Sequence, residues 1–179
     1  MRRGTLIAIL VTVLTAGLGF PPKGPAPVRA ADEEKKAPAV PEIRMKDTEG
    51  KDLSLHELLA TGPVLLDFWA LWCRPCLKEL PELDKLREKY AASGFTVIAV
   101  NTDTPVDVNK VKPFVRSRKY GFRVVTDIDG DLRRKFQVNA FPTTLLIARD
   151  GTTAWSNQGY RPGDEKELEK KLMELLSPE

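Results

Sequence analysis

Two cysteines, Cys73 and Cys76, are the only thiols in a chain of 179 residues, and only Arg74 and Pro75 separate them. At that spacing the second sulfur can reach back over one helical turn and close a reversible disulfide. An apolar run, Val64-Leu65-Leu66, leads towards the pair, and a segment of helical periodicity follows from Cys76. The cysteines therefore sit where a buried strand ends and a helix begins. A helix start carries roughly half a positive charge and unpaired N–H groups, which favour an anion. The anion here is the Cys73 thiolate, whose pKa is expected below the free value of about 8.5. Pro75 suits the first turn, where its missing N–H is not needed. Arg74 places a further positive charge one residue away, with its guanidinium expected in solvent. Cys73 is nearer the helix start and the more exposed, so it is the expected nucleophile, and Cys76 would resolve the mixed disulfide. Zinc binding is the rival use, but it usually takes four protein ligands, and the chain has two cysteines and one histidine. The pair reads as a redox site that needs no cofactor and no metal.

An acid stands inside the strand that must carry this pair. Asp67 lies between Leu66 and Phe68, six residues before Cys73. Burying a carboxyl group there is costly and should raise its pKa. A continuous apolar strand over residues 64–69 is expected where helices cover both faces of a sheet. Leu77, Leu80, Leu83 and Leu86 then repeat at helical spacing up to Tyr90. Further strands are expected at 95–100, 124–126, 143–148 and 152–156, the last two joined by an Asp150-Gly151 turn. Helices are expected at 106–120 and 132–136, with a final one capped by Asp164 and presenting Leu168, Leu172, Leu175 and Leu176. Ahead of these, residues 42–46 and a turn at 47–50 suggest a strand or hairpin. Ser54 then caps a helix at 55–60, with Glu57 completing a capping box and His56 at the surface. This order requires an α/β fold with a central mixed sheet between two helix layers.

The ends of the chain read differently from its middle. Residues 1–30 hold Arg2 and Arg3, an apolar stretch over 6–20, and small residues around Arg29. They read as a cleaved signal peptide or an N-terminal membrane anchor. Residues 31–40, rich in Pro, Ala, Lys and Glu, read as a flexible spacer before a domain over 41–179. The formal charge is +3, but the first 30 residues hold four basic groups and no acid. Without them, 24 basic residues face 25 acidic ones, which argues against nucleic acid as a partner.

The run Phe68-Trp69-Ala70-x-Trp72-Cys73-x-Pro75-Cys76, followed by Phe141-Pro142-Thr143-Thr144-Leu145-Leu146-Ile147, resembles the thioredoxin superfamily. The likeness is to its exported TlpA/ResA-like thiol-disulfide oxidoreductases and covers residues 41 to 176. It implies a thioredoxin-like fold with an N-terminal hairpin extension and an inserted helix after the second central strand. It also implies that Pro142 is cis and lies against the disulfide, and that Pro81 falls within the active-site helix. The backbone of Phe141 would then be free to pair with an extended substrate segment, its side chain shaping that surface. Trp69 and Trp72 would cover the site. Asp67 matches the position at which thioredoxins take the proton from the resolving cysteine, where many exported relatives have asparagine. The function implied is reduction of disulfides in exported proteins, by a monomer recharged by a DsbD/CcdA-like membrane donor, with cytochrome c maturation as one setting. An oxidant or isomerase of folding proteins would use the same residues. A thiol peroxidase would need a hydroxyl where Ala70 stands, and a non-catalytic binding module would have no use for Cys73, Cys76, Asp67 and Pro142 together.

Overall fold

In the computed structural model, residues 40–177 are described. They open with a hairpin of strands β1 (Arg44–Lys46) and β2 (Asp52–Ser54), whose turn uses Gly50 at φ +83°. Ser54 caps helix α1 (Leu55–Thr61) by accepting the Glu57 N–H at 3.2 Å, and its hydroxyl donates to Glu42 at 2.9 Å. There follow β3 (Val64–Trp69), α2 (Arg74–Tyr90), β4 (Thr96–Asn101), α3 (Val111–Arg118) and β5 (Arg123–Thr126). The chain ends with α4 (Asp131–Lys135), β6 (Thr143–Ile147), β7 (Thr153–Gln158) and α5 (Asp164–Leu176).

The five-stranded sheet has the order β5-β4-β3-β6-β7, so the strand leading to the cysteines is the middle one. Helical crossovers make β3, β4 and β5 parallel, whereas the tight turn at Gly151 makes β6 and β7 antiparallel. β6 also runs antiparallel to β3, pairing Asp67 with Thr144. All six residues of β3 are buried because both faces are covered. Leu65 and Trp69 face Cys76, Leu80, Leu83 and Leu86 of α2, with Val111 of α3 and Leu168 and Leu172 of α5. Val64, Leu66 and Phe68 face the opposite way, towards the hairpin, α1 and Leu132 of α4. This is the thioredoxin-like arrangement, a mixed sheet between helix layers, with a small antiparallel hairpin at its N-terminal side.

Two elements differ from the sequence pattern. The helix expected over 106–120 is reduced to a 3-10 turn (Val108–Lys110) followed by α3. Pro113 explains this, because its ring clashes with a carbonyl four residues earlier and is tolerated only in a first turn. Val106, freed from any helix face, is 81% exposed, and Lys119 closes α3 in the left-handed region at φ 58°. At α5 the cap position is Gly163, not Asp164. The Asp164 carboxylate turns back to accept the Arg161 N–H (2.8 Å) and the Asn157 amide (3.2 Å), tying the preceding turn together. The expected leader at 1–30, and all of the 31–40 spacer but Val40, lie outside the described residues. Among those described, no helix is long and apolar enough to cross a membrane.

Candidate active site

Where β3 runs out, the chain makes a short loop and re-enters as α2, with Cys73 as the cap residue. The Cys73 sulfur accepts the Cys76 N–H at 3.3 Å, taking one of the donors that a helix start leaves unpaired. Cys73 and Cys76 are joined as a disulfide with their Cα atoms 5.3 Å apart. Cys73 is 4% exposed and Cys76 is fully buried, so Cys73 is the one of the pair that reaches the surface. Arg74 and Pro75 occupy the first helical positions, and both are exposed.

The loop between β3 and Cys73 is clamped from the end of β4. Asp103 is buried, and its Oδ2 accepts the Leu71 N–H at 2.8 Å and the Asn101 amide at 2.7 Å. Thr102 donates twice to the Trp69 carbonyl, through its N–H (2.9 Å) and its hydroxyl (3.1 Å). Parallel pairing of Trp69 with Asn101 brings these groups to the same level. Sequence reading gave Asn101 and Asp103 no part in the site. The signal was present: an Asn-x-Asp run directly after four apolar strand residues, at the end of a strand next to β3.

The loop before β6 reaches the same region, with Phe141 packed against the core cluster that holds both cysteines. The Phe141–Pro142 peptide is cis, and Pro142 is buried. The Phe141 ring meets Trp72 edge-to-face at 5.8 Å, and Trp72 is 65% exposed. Trp72 and Phe141 thus form one aromatic surface beside Cys73. Trp69 is not part of it. Alternation along β3 turns Trp69 inward onto the face of Leu65, where it is fully buried against Phe114 at 5.8 Å.

Beneath the cysteines the sheet carries two buried acids where sequence reading found one. Asp67 shares the Leu65–Trp69 face of β3, which is the face that Cys73 and Cys76 cover. Glu79 descends onto that face from α2, three residues after Cys76. Thr144, paired with Asp67 across β3 and β6, stands between them. Its hydroxyl donates to Glu79 Oε1 at 2.8 Å and lies 3.5 Å from Asp67 Oδ1. The second oxygens, Asp67 Oδ2 and Glu79 Oε2, have no hydrogen-bond partner. With one hydroxyl proton for four carboxyl oxygens, charging both groups together is strongly disfavoured. Burial, and then the facing Glu79, hold the Asp67 carboxyl well above the ordinary carboxylate range. Burial likewise pushes Glu79 up to about 7; the Thr144 bond opposes this, and the charges of Asp164 and Glu165 add to it. Glu79 was legible in one respect, since an acid three residues after Cys76 falls on the apolar stripe of α2. Among the described residues, no cluster of His, Cys, Asp or Glu is placed to hold a metal ion.

Paired sulfurs at a strand–helix junction, a cis-proline loop beside them and this sheet order define a thioredoxin-like thiol-disulfide oxidoreductase. The chain belongs to the AhpC/TSA family, which matches residues 37–156. It is 34% identical over 127 residues to a thiol-disulfide oxidoreductase ResA of Bacillus thuringiensis subsp. konkukian, covering 71% of this chain and 72% of that one. It is 32% identical over 124 residues to the sporulation thiol-disulfide oxidoreductase A of Bacillus subtilis, covering 68% and 74%. Among solved structures, a putative thiol:disulfide interchange protein DsbE from Chlorobium tepidum superposes with a TM-score of 0.72 at 32% identity. That match covers 79% of this chain and 98% of the other.

The raised carboxyls carry a stability consequence with a definite sign. Between the ordinary carboxyl range and about 7, the folded chain holds protons that the unfolded chain has released. Stability from this pair is therefore full at low pH and lost as pH rises through that window. Relative to Glu79→Gln, the wild type should lose on the order of 3 kcal/mol between about pH 4.5 and pH 7. Denaturant unfolding of both proteins across that range checks it; a constant difference would mean that Glu79 does not titrate in the pair.

Proposed function

We propose that the chain reduces disulfide bonds in exported proteins, with Cys73 attacking and Cys76 resolving. The observation that carries this reading is the Cys73 sulfur held at the start of α2, accepting the Cys76 N–H, with Cys73 the more exposed of the two cysteines. In the reduced protein the Cys73 thiolate attacks one sulfur of the substrate disulfide, and the other leaves as a thiolate. Cys76 then attacks Cys73, the second substrate sulfur departs, and the enzyme disulfide seen here is left. Two electrons pass from enzyme to substrate. The Cys76 proton needs a buried acceptor, and the Asp67–Glu79 pair supplies one, because only one of the two carboxyls must stay protonated. Trp72, Pro75, Phe141 and Pro142 frame the substrate, with Arg74 at the rim.

The exported setting rests on the sequence of residues 1–30 as signal or anchor and of 31–40 as spacer, followed by the domain over 41–179. A DsbD/CcdA-like membrane donor would return the electrons to this monomer. An oxidase or isomerase role would use the same groups, whereas the peroxidase alternative lacks a hydroxyl at Ala70.

Two expected outcomes follow from the division of labour. A Cys76→Ser protein should accumulate a mixed disulfide through Cys73 when mixed with a protein disulfide, because nothing remains to release it. Non-reducing electrophoresis with peptide mapping reads this out, and a link through any other residue contradicts the assignment. The double variant Asp67→Asn/Glu79→Gln should reduce insulin about 10²-fold more slowly near pH 7, where Glu79 is about half ionised in the wild type, recovering towards pH 9 as the Cys76 thiol ionises unaided. Rates equal to wild type at every pH would remove the carboxyl pair from the mechanism.

A further inference from the structure

The aromatic surface beside Cys73 does not end at Phe141. Phe141 is also one wall of a groove of about 570 Å³, lined further by Arg133, Arg134, Gln137, Val138 and Asn139. Its lining holds two cations and no acid. The acids nearby in sequence are already engaged. Asp131 is paired with Arg134, which also donates to the Asp129 carbonyl at 2.7 Å. Asp127 is buried, and its two oxygens accept the N–H groups of Leu132 (2.9 Å) and Arg133 (2.8 Å). The Arg133 guanidinium, by contrast, has no hydrogen-bond or ion-pair partner among the described residues, and the residue is exposed. Arg74, next to Cys73 in the chain, is exposed as well. The acids that approach the sulfurs from below, Asp67, Glu79 and Asp103, are all buried.

A chain laid in extended form along the Phe141 backbone advances about 3.3 Å per residue. Residues a few positions from its cysteine would therefore leave the aromatic surface and enter the groove. An unpaired guanidinium there favours a carboxylate and disfavours a cation, acting on both encounter rate and preference.

Building on the reductase reading above, we propose that the groove makes the enzyme selective for protein disulfides whose cysteines are flanked by acidic residues, with Arg133 as the residue that sets the preference. Trp72 and Phe141 hold the apolar part of such a segment next to Cys73. Arg133 reads the charge beyond it, and Arg134, already paired with Asp131, adds to the field of the groove.

The test uses the full reduced chain and three model peptides with one disulfide each, identical except for Glu, Gln or Lys at the positions flanking the cysteines. The expected order of kcat/KM is Glu, then Gln, then Lys, with about tenfold between the extremes at low salt, shrinking as salt is added. In Arg133→Glu the order should invert. Equal kcat/KM for the three peptides, or an order that Arg133→Glu leaves unchanged, overturns the proposal while leaving the reductase reading intact. Reduction of none of the three overturns that reading and this proposal with it.

Discussion

Ending a fully buried strand at the first turn of a helix leaves N–H groups without partners, and here a sulfur takes one of them. That single contact, Cys76 N–H to Cys73 sulfur, defines what the rest of the structure must hold in place. β3 is fixed on both sides, by parallel β4 and antiparallel β6, so its end cannot drift. The loop beyond it is tied to Asp103 and Thr102 at the end of β4. α2 is held by Leu80, Leu83 and Leu86 against the sheet, each such side chain contributing roughly 1.5–3 kcal/mol by burial. The redox pair sits where the middle strand of the sheet meets α2, the longest helix among the described residues.

The same rigidity carries two acids into a place where charge is unwelcome. A buried carboxyl usually finds a cation or several N–H donors; Asp67 and Glu79 share one threonine hydroxyl. Such a pair works against folding at neutral pH, and the proposed mechanism gives it a use as a reservoir for a proton. In the proposed exchange it receives that proton from Cys76, which is fully buried. The arrangement also divides the two cysteines by environment. Cys73 meets the helix N–H and the surface, and Cys76 is buried in the core on the face of the sheet that Asp67 shares. Each environment favours a different step of one exchange.

Much of this was legible in the sequence, for identifiable reasons. β3 could be bounded because its apolar run is interrupted only by Asp67 and ends at the cysteine motif. α2 and α5 could be placed because leucines mark their buried faces at helical intervals. Glu79 was missed because a repeat identifies a face but not what lies across from it. Its partner, Thr144, is 65 residues away, and their meeting depends on the β3–β6 register. Asp103 was missed for the same reason, since it acts on Leu71 through a parallel pairing that no local pattern encodes. Trp69 was expected to cover the site with Trp72, although strand alternation sends it into the core. Helix α3 was drawn too long because valine spacing was given more weight than Pro113.

The proposed exchange requires Cys73 and Cys76 to differ in acidity despite lying one helical turn apart. Ultraviolet thiolate absorbance of the reduced protein, followed against pH, measures this directly when repeated with Cys73→Ser and Cys76→Ser. The expected result is a Cys73 transition well below the free thiol value of about 8.5, with Cys76 ionising only above it. Both sulfurs titrating together near that value would contradict the account, because neither the helix start nor the carboxyl pair would then be acting on them.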